Sequence, residues 1–304
     1  MLDIISVGPG EAVLLTDDAK QAIDRADAVW CAARHAVLVP PEKARPLSPL
    51  EGAIEQMRLS SDAGQSAAVL VSGDAGLYSL LEMLKRKIGG EYLRVHPGVS
   101  ALQLFAARLG VSWQDAKILS AHGRALSESA LCHAVRTHRQ TFCFLDAAHN
   151  PAWVRGSLNL GGLENVRLFV GERLSYPDER TEAYDPDATY DPLCMAYIEN
   201  DAPESGLPPV GLSDEAFIRG KTPMTKRDVR ALVVSALHLK PNGVVWDIGA
   251  GTGSVSVECA RQCPLGEVYA VEMKDEALDL IRRNAERFHA LNLRVVPGRA
   301  PEAL

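Results

Sequence analysis

A strand-like apolar run ends in a glycine turn at Ile4-Ile5-Ser6-Val7-Gly8-Pro9-Gly10. A second run of this kind ends in a different turn, Val244-Val245-Trp246-Asp247-Ile248-Gly249-Ala250-Gly251-Thr252-Gly253. Glycines after a buried strand let a ligand approach bare backbone. Because the two turns differ in spacing and lie far apart in the chain, the sequence predicts two ligand sites in two domains.

Outward from the first turn, short β-branched runs alternate with helical patterns through about the first 200 residues. Such alternation is typical of a largely parallel sheet with helices on its faces, so the predicted fold class is α/β. The predicted strands in this region are Leu2–Val7, Ala28–Ala32, Ala67–Ser72, Leu93–His96, Lys117–Ala121, Thr141–Asp146, Val166–Leu174 and Leu193–Glu199.

Residues 204–222 are predicted to form a linker, because this stretch is rich in proline and glycine and has no clear periodicity before Phe217. The predicted domains are therefore residues 1–203 and 223–304. After the linker, Thr225-Lys226-Arg227-Asp228 predicts a capping box that opens a helix through Leu239. Further strands are predicted at Val244–Asp247, Glu267–Glu272 and Leu293–Val296.

The bulk composition is that of a globular protein, with a hydrophobic fraction of 47% and a charged fraction of 23%. A length of 304 residues favours two domains. The net charge of −7 argues against nucleic-acid binding, which needs a basic surface. No apolar run is long enough to cross a bilayer, and the amino terminus lacks the features of a secretion signal. The expected location is therefore the cytoplasm, with no membrane partner.

Six cysteines in a chain of this length do not indicate a disulfide framework. Four potential ligands cluster loosely, but their spacing fits none of the usual zinc patterns. They are Cys132, His133, His138 and Cys143. The sequence predicts no metal site.

The glycine spacing at the carboxy-terminal turn indicates its ligand. Gly249, Gly251 and Gly253 form G-x-G-x-G rather than the G-x-G-x-x-G of dinucleotide-binding folds. Asp247 closes the strand before the turn, and Glu272 closes the next strand, where its carboxylate can bind both hydroxyls of a ribose. An acid beside the turn suits the cationic S-adenosyl-L-methionine better than a pyrophosphate, which helix starts favour. A dinucleotide site and a plain turn with a solvated aspartate are the alternatives.

Three loops of the amino-terminal region share one pattern, small residues directly after a predicted strand. They are Val7-Gly8-Pro9-Gly10, Ser72-Gly73-Asp74-Ala75-Gly76 and His96-Pro97-Gly98-Val99-Ser100-Ala101. In α/β folds the carboxyl ends of parallel strands form one ligand-binding edge. The order of the loops predicts that they line a ligand site together, although each alone is a common turn.

The carboxy-terminal region resembles the class I methyltransferases in Asp247-Ile-Gly-Ala-Gly-Thr-Gly-Ser254 and Ala270-Val-Glu272. The wider stretch Gly220-Lys-Thr-Pro-Met-Thr-Lys-Arg-Asp-Val-Arg-Ala-Leu232 is similar to CbiT-type enzymes of cobalamin synthesis. This resemblance implies a Rossmann-like fold, methylation of C15 of a precorrin and decarboxylation of an acetate side chain. Candidates to bind substrate carboxylates are Lys221, Lys226 and Arg227, with solvated charges at a helix start as the alternative.

The amino-terminal region resembles the tetrapyrrole methylase family through Val7–Gly10, Val71-Ser-Gly-Asp-Ala-Gly-Leu-Tyr-Ser79 and Pro97–Ala101. Ser120-Ala-His-Gly-Arg124 and Gly171-Glu-Arg-Leu-Ser-Tyr-Pro-Asp-Glu179 are similar to its CbiE branch, which methylates C5. The resemblance covers about residues 1–200. It implies two α/β lobes with S-adenosyl-L-methionine in the cleft between them.

This second resemblance also implies site residues. Those for the methyl donor are Pro9, Gly73, Asp74, Gly76, Ser100 and Ala101. His122 and Arg124 are candidates to contact the tetrapyrrole, and a satisfied loop histidine is the alternative for His122. The family often has proline after its Gly-Asp pair, so Ala75 implies a slightly less rigid loop.

A CbiE-like region followed by a CbiT-like region is the arrangement of the CobL family. The resemblance implies methylation of precorrin-6Y at C5 and C15, with loss of carbon dioxide from the ring C acetate, to give precorrin-8 in cobalamin biosynthesis. The sulfonium of the donor already activates the methyl group, so no strong base is required and catalytic residues stay unassigned. An NAD-linked oxidoreductase and a non-catalytic scaffold are the alternatives from other classes, and the glycine spacing argues against the first.

The carboxy-terminal domain is predicted to be an incomplete class I fold, its amino-terminal half only, because few strands follow the linker. The chain is expected to be a fragment of a longer protein, so a C5-only methylase with a non-functional second domain is a further alternative. The strand Leu293–Val296 would then form an exposed edge prone to aggregation. By resemblance, the protein is expected to form homo-oligomers.

Overall fold

The structure is a computed structural model that describes residues 1–303. Helices and strands alternate along most of the chain, as in an α/β protein. The strands are β1 (Leu2–Ser6), β2 (Ala28–Cys31), β3 (Ala44–Pro46), β4 (Ala67–Val71), β5 (Leu93–His96), β6 (Lys117–Ser120), β7 (Gln140–Phe144), β8 (Arg167–Glu172), β9 (Arg180–Ala183), β10 (Cys194–Glu199), β11 (Val244–Ile248), β12 (Glu267–Glu272) and β13 (Leu293–Pro297). The helices are α1 (Asp17–Arg25), α2 (Leu50–Asp62), α3 (Leu81–Ile88), α4 (Ala101–Leu109), α5 (Glu128–Thr137), α6 (Pro151–Leu160), α7 (Arg227–Ala236), α8 (Ser254–Gln262) and α9 (Asp275–Arg287).

The chain divides into two compact units. Unit 1 consists of Met1–Gln114, Phe169–Ala183 and Ala188–Met195. Unit 2 consists of Asp115–Leu168, Tyr184–Asp187 and Ala196–Leu304. This division does not follow the predicted domains of residues 1–203 and 223–304, whose boundaries stay a prediction.

Unit 1 is built on a parallel sheet with the strand order β3-β2-β4-β1-β5. The two central strands, β1 and β4, are buried along their whole length. Parallel strands covered on both faces need apolar side chains at nearly every position, which explains the continuous runs in both segments. The carboxyl ends of β1, β4 and β5 therefore meet at one edge of the sheet.

Unit 2 contains a parallel three-stranded sheet with the order β11-β12-β13. Helices α8 and α9 pack on one of its faces, where Val268 and Ala270 meet Val257 and Ile281 in a common core. The unit also contains the parallel pair β6 and β7. In unit 1, β8 and β9 form an antiparallel pair from Phe169 to Ala183.

The predicted α/β architecture with largely parallel strands is confirmed, and each predicted strand has a counterpart. The sequence patterns missed β3, β9 and helix α2. Strand β3 is three residues long and ends in Pro46, so it offers neither alternation nor a full ladder of backbone donors. Strand β9 carries Arg180, Thr181 and Glu182, which follow no apolar pattern.

The predicted capping box at Thr225 is wrong. Helix α7 begins at Arg227, after Lys226, and no side chain caps it. Thr225 lies before the helix, where its carbonyl accepts from Arg230 Nη1 at 2.6 Å. The helix ends at Ala236 rather than Leu239, because the chain takes a positive φ of 47° at His238. Thr225 thus contributes a backbone carbonyl to the buried Arg230 and no side-chain cap to the helix.

Two further properties concern the part of the chain that the structure describes. Every helix in residues 1–303 is too short or too polar to cross a membrane. The same residues bring together no group of three or more metal-ligating side chains suited to a metal ion. The cysteines are buried free thiols, and burial raises the pKa of Cys132 and of Cys259 to about 12.

Candidate functional site

The loops after β1 and β4 are joined by backbone hydrogen bonds. Gly8 N donates to Gly73 O across 3.2 Å, and Gly73 N donates to Gly8 O across 2.7 Å. This two-way bridge fixes one loop against the other. The first two of the three predicted ligand loops therefore lie side by side at the sheet edge of unit 1.

Asp74 connects the loop after β4 to the loop after β5. Its Oδ1 accepts from Gly76 N at 2.8 Å, and its Oδ2 accepts from Gly98 N at 3.2 Å. Charge-assisted hydrogen bonds of this kind are stronger than those between neutral groups. The carboxylate therefore holds Gly73 and Gly76 beside the loop that leads to Ser100.

Two positions in these loops require glycine for steric reasons. Gly10 has a φ of +147°, and a Cβ there would lie 2.2 Å from Tyr176 Oη. A Cβ on Gly98 would stand 2.8 Å from Ser6 O. Tyr176 Oη also donates to Pro9 O at 3.2 Å, so the predicted site residue Pro9 contributes its carbonyl to this packing. Because side chains do not fit at these two positions, the loops present mainly backbone atoms there.

Ser100 and Ala101 form the start of helix α4. Ser100 Oγ accepts from Gln103 N at 3.1 Å, and Gln103 Oε1 accepts from Ser100 N at 2.8 Å. This is a capping box, and Ser100 is buried within it. The hydroxyl of Ser100 therefore serves the helix, and its contact with a ligand stays a prediction.

Ala75 occupies the position where tetrapyrrole methylases often have proline. Its backbone N donates to Ser6 Oγ at 2.9 Å, a bond that proline cannot make because it has no N–H. The residue is almost fully buried. In this chain the hydrogen bond from Ala75 to Ser6 restrains the loop, whereas in relatives with proline the ring would restrain it.

Unit 1 also contains a polar cluster that the sequence patterns missed, formed by Arg34, His35 and Ser72 and here named the Arg34 cluster. Arg34 Nη2 donates to Ser72 Oγ at 2.6 Å, and His35 Nε2 lies 2.9 Å from the same oxygen. His35 has no solvent exposure. Burial, with a smaller effect of the Arg34 charge, lowers the pKa of His35 to about 4. The sequence signal for this cluster is an Arg-His pair that begins two residues after the predicted strand Ala28–Ala32.

His122 and Arg124 lie in a turn after β6, in unit 2. Arg124 N donates to Ala121 O at 3.1 Å, and Gly123 has a φ of +64°. Both predicted substrate-contact residues are exposed. Their accessibility is compatible with a ligand contact, and the role of each stays a prediction.

The glycine turn after β11 holds its glycines in the left-handed region. The φ values of Gly249, Gly251 and Gly253 are +78°, +57° and +75°. A Cβ on Gly249 would meet nothing within 4 Å, whereas a Cβ on Gly253 would lie 3.1 Å from Ile281. The first glycine therefore faces open space, and the third lets helix α9 pack closely against the turn.

The structure brings Glu272 to this turn, as the sequence predicts. Glu272 Oε2 accepts from Gly251 N at 3.0 Å, and Oε1 accepts from Met273 N at 2.9 Å and Lys274 N at 3.1 Å. Burial alone would raise the pKa of Glu272, but these three donors outweigh it and the pKa lies below its usual value. The carboxylate is therefore ionised at neutral pH and is an acceptor for hydroxyl groups.

Asp247 and Thr252 are the other polar side chains of the turn. Ser256 Oγ donates to Asp247 Oδ2 at 2.5 Å. Burial raises the pKa of Asp247 despite this hydrogen bond. Thr252 is 1% exposed, and its Oγ1 has no hydrogen-bond partner among residues 1–303. A cationic ligand beside Asp247 would favour its ionised form.

The structure gives three different environments to the predicted carboxylate-binding residues of unit 2. Lys226 Nζ lies 3.7 Å from Asp214 Oδ2, and Arg227 Nε donates to Gly211 O at 3.0 Å. Lys221 is exposed, and its backbone N donates to Glu276 Oε1 at 3.1 Å. Lys226 and Arg227 thus have structural partners already, which leaves Lys221 as the candidate with the most accessible charge.

Comparison with protein families gives two matches. The family of Tetrapyrrole (Corrin/Porphyrin) Methylases matches residues 1–185. The Precorrin methyltransferase domain matches residues 215–304. The two matches follow one another along the chain, one for each glycine turn.

Curated relatives cover the chain in two ways. Over 317 aligned residues, it is 32% identical to a precorrin-6Y C(5,15)-methyltransferase [decarboxylating] of Sinorhizobium sp, covering 100% of this chain and 75% of the relative. Over 91 residues, it is 47% identical to a cobalt-precorrin-6B C(15)-methyltransferase (decarboxylating) of Salmonella typhimurium, covering 30% of this chain and 47% of the relative.

A solved structure agrees with the fold of the amino-terminal region. It is the uroporphyrin-III C-methyl transferase of Thermus thermophilus complexed with S-adenyl homocysteine. The match has a TM-score of 0.54 and 18% sequence identity, covering 65% of this chain and 96% of that one. At this identity the likeness concerns the fold alone.

Proposed function

Because this chain belongs to the tetrapyrrole (corrin/porphyrin) methylases and continues into a precorrin methyltransferase region, we propose that it methylates precorrin-6Y at C5 and C15 and decarboxylates it. The methyl donor in this proposal is S-adenosyl-L-methionine. The full-length relative carries both positions and the decarboxylation in its name, which supports the pair of reactions. The relative matched by the carboxy-terminal region supports the assignment of C15 to unit 2.

One observation carries the proposal. Each glycine turn lies at the carboxyl end of a parallel strand and is hydrogen-bonded to the end of a neighbouring strand. Gly8 exchanges two backbone hydrogen bonds with Gly73, and Gly251 N donates to Glu272. Such edges are where α/β folds bind small ligands.

The residues present fit the proposed donor. The open space beside Gly249 leaves room for a nucleoside against the backbone, and Thr252 Oγ1 lacks a partner within the described residues. Glu272 supplies a carboxylate for ribose hydroxyls, and Asp247 supplies one for the cationic amino-acid end. A pyrophosphate would face repulsion from both acids.

When bound, the donor supplies a methyl group on a sulfonium that leaves as a neutral thioether. The chain has to hold the acceptor carbon in line with that methyl group and exclude water. In unit 1 the linked loops at Gly8, Asp74 and Gly98 give a fixed backbone surface for this purpose. In unit 2 the turn and Glu272 give the corresponding surface.

Decarboxylation breaks the bond between the acetate methylene and its carboxyl carbon. The electron pair passes into the conjugated macrocycle, carbon dioxide leaves, and a proton from water then replaces the lost group. Burial of the leaving carboxylate next to a cation would oppose this step, so binding contacts belong on the other carboxylates. Lys221, which is exposed in unit 2, is the candidate for such a contact.

Mass spectrometry of precorrin-6Y turnover tests the proposal. The wild-type chain is expected to give a product with two added methyl groups and without one carbon dioxide. We expect Gly249→Val to leave one added methyl group and no decarboxylation, because the substitution fills the space beside the turn. A wild-type product with one methyl group and no loss of carbon dioxide would support a C5-only methylase, and no methylated product would refute the proposal.

We also infer a cytoplasmic location and a homo-oligomeric state. The kinship with a family of biosynthetic methyltransferases supports the first inference. Cell fractionation tests the location, and light scattering coupled to size exclusion tests the oligomer. A monomer at working concentrations would contradict the second inference.

A further inference from the structure

The Arg34 cluster has a defined protonation state. Arg34 Nε can only donate a hydrogen bond, and it donates to His35 Nε2 at 3.2 Å. The buried ring is neutral at pH 7, since its pKa lies near 4. Its Nε2 accepts from Arg34 Nε, and its buried Nδ1 has no hydrogen-bond partner among residues 1–303. The ring fixes the guanidinium without adding or cancelling charge.

The positive charge of Arg34 has no carboxylate partner in the described part of the chain. Among residues 1–303, no carboxylate oxygen lies within 4.0 Å of its guanidinium nitrogens. The side chain is exposed at the sheet edge. Two of its N–H groups are held by Ser72 and His35. The remaining edge of the guanidinium is a fork that matches a carboxylate in two parallel hydrogen bonds.

The cluster borders the predicted methyl-donor loops of unit 1. Ser72 directly precedes Gly73 in the chain. A Cβ on Gly10 would lie 3.6 Å from His35 Cε1, so the ring lies against the first glycine turn. The cation is therefore next to the loops at which the proposed methyl transfer takes place.

An apolar cavity of about 570 Å³ adjoins the same segment. Its walls include Ala33 and Ala36, on either side of the Arg34–His35 pair, and Leu47 and Leu80. The volume is in the range of small-molecule sites. A precorrin has a largely apolar macrocycle with carboxylate side chains, so an apolar cavity with Arg45 in its wall and Arg34 in the adjoining segment matches its chemistry.

On the basis of the proposed precorrin substrate, we propose that Arg34 binds a carboxylate side chain of the tetrapyrrole. Ser72 and His35 are positioning residues that hold the guanidinium in place. The cavity receives part of the apolar ring system. Nothing in this arrangement requires Arg34 to contact the methyl donor.

Equilibrium binding of precorrin-6Y, followed by its visible absorption, tests the role of Arg34. We expect Arg34→Gln to weaken precorrin binding roughly ten- to hundredfold, as for the loss of a hydrogen bond to a charged group. Binding of S-adenosyl-L-methionine should stay within about twofold, and Arg34→Lys should recover only part of the loss. Arg86→Gln is the matched control, because Arg86 is exposed on helix α3 of the same unit.

The positioning role of Ser72 is tested in two backgrounds. Ser72→Ala should weaken precorrin binding in the wild type and have no further effect in Arg34→Gln, because it acts through Arg34. Equal losses in both backgrounds would overturn the positioning role. Unchanged precorrin affinity in Arg34→Gln, or equal loss of both ligands with a lower Tm, would overturn the carboxylate site.

These outcomes are separable from the proposed function. If the wild-type chain neither binds nor methylates precorrin-6Y, the proposed function fails. The Arg34 site is then measured with uroporphyrin, another polycarboxylate tetrapyrrole. Loss of uroporphyrin binding in Arg34→Gln still supports the site, and equal binding by the two proteins refutes it.

Discussion

At the scale of single residues, Arg230 is a charged side chain that is fully buried, although arginine is usually exposed. It has no solvent exposure, and its guanidinium lies 4.6 Å from the centre of the Phe217 ring. Its Nε lies 3.0 Å from Glu258 Oε1, and its Nη1 lies 3.3 Å from Asp214 Oδ1. In the sequence it stands among exposed lysines and arginines, so only the folded chain distinguishes it.

We expect Arg230→Met to lower the free energy of unfolding by about 3–5 kcal/mol, because Glu258 is left as a buried charge without its partner. Urea denaturation measures the change. The double variant Arg230→Met/Glu258→Leu should recover only part of the loss, because Gly211 N and Leu212 N then lose the carboxylate that accepts from them. Arg283→Met is the control, since the Arg283–Asp279 pair is exposed and should contribute less than about 1 kcal/mol. Equal losses in the two single variants would contradict the expectation.

His96 is a buried histidine held between two carboxylates. Its Nε2 lies 3.0 Å from Asp3 Oδ1, and its Nδ1 lies 2.5 Å from Asp18 Oδ2. Burial alone would lower the pKa of His96, but the two aspartates outweigh it and raise the pKa above 6.5. The hydrogen bond between Asp18 and His96 lowers the pKa of Asp18 below 3.8.

The raised pKa of His96 gives a contribution to stability that is complete below pH 6.5 and is lost as pH rises through the folded-state pKa. The lowered pKa of Asp18 gives a second contribution to stability, which is present above pH 3.8 and is lost as pH falls through the folded-state pKa. The difference in Tm between wild type and Asp18→Asn should therefore be largest between pH 3.8 and 6.5 and shrink above the His96 pKa. The lowered pKa of His35 has the opposite effect on stability, but His35 is present in both proteins, so its effect cancels in the difference in Tm. Asp17→Asn, at an exposed neighbour that does not contact His96, is the control for a general effect of removing a charge.

At the scale of elements, the start of helix α4 combines a structural and a predicted ligand role. We expect Ser100→Ala to lower the free energy of unfolding by about 1 kcal/mol, as for other lost N-caps. It should also weaken S-adenosyl-L-methionine binding, because the loop before the helix loses its fixed position. Ser127→Ala, at the N-cap of helix α5, should cost a similar stability without any change in that binding. Calorimetry of both variants distinguishes a helix cap from a ligand contact.

Strand β11 is the edge that exposes large apolar side chains. Val244, Trp246 and Ile248 are 63%, 47% and 48% exposed, whereas Leu293 at the start of β13 is buried. The predicted aggregation hazard at Leu293–Val296 therefore applies more strongly to β11. Parallel sheets usually have both faces covered, and the outer face of β11 is open among the described residues.

We expect Val244→Lys to reduce concentration-dependent light scattering, because a charge on an edge strand opposes strand pairing between molecules. The free energy of unfolding should change by less than about 0.5 kcal/mol at this exposed position. Val37→Lys, at another exposed valine, is the control and should leave scattering unchanged. Scattering that falls equally in both variants would indicate a general effect of charge.

At the scale of the whole molecule, two separate sites should bind two equivalents of S-adenosyl-L-methionine. Gly73→Val and Gly249→Val should each reduce the stoichiometry to one, as measured by isothermal titration. Both glycines have positive φ, +68° and +78°, so the strain of the two substitutions is comparable. Gly64→Val, with a φ of +74° and open space around it, controls for that strain. Loss of both equivalents in either variant would contradict independent sites.

The predicted elements agree best where the local pattern is strong. Buried parallel strands such as β1 and β4 need apolar residues throughout, so their sequences reveal them. Short or polar elements such as β3 and β9 depend on their neighbours for stability and carry no local pattern. Helix α7 begins at Arg227 without a side-chain cap, so the local pattern of Thr225–Asp228 predicts a cap that does not form.

The amino-acid sequence by itself determined the two glycine turns, the acids at Asp247 and Glu272, and the two family resemblances that the comparisons confirm. These are local features, in which a turn, a strand end and a spacing are encoded within a few residues. Only the tertiary structure decided which residues meet across long distances in the chain. The bond from Gly98 N to Asp74, the contact between His35 and Ser72, and the buried pair of Arg230 and Glu258 are of this kind. Each depends on burial and on partners far away in sequence, and residue order alone specifies neither.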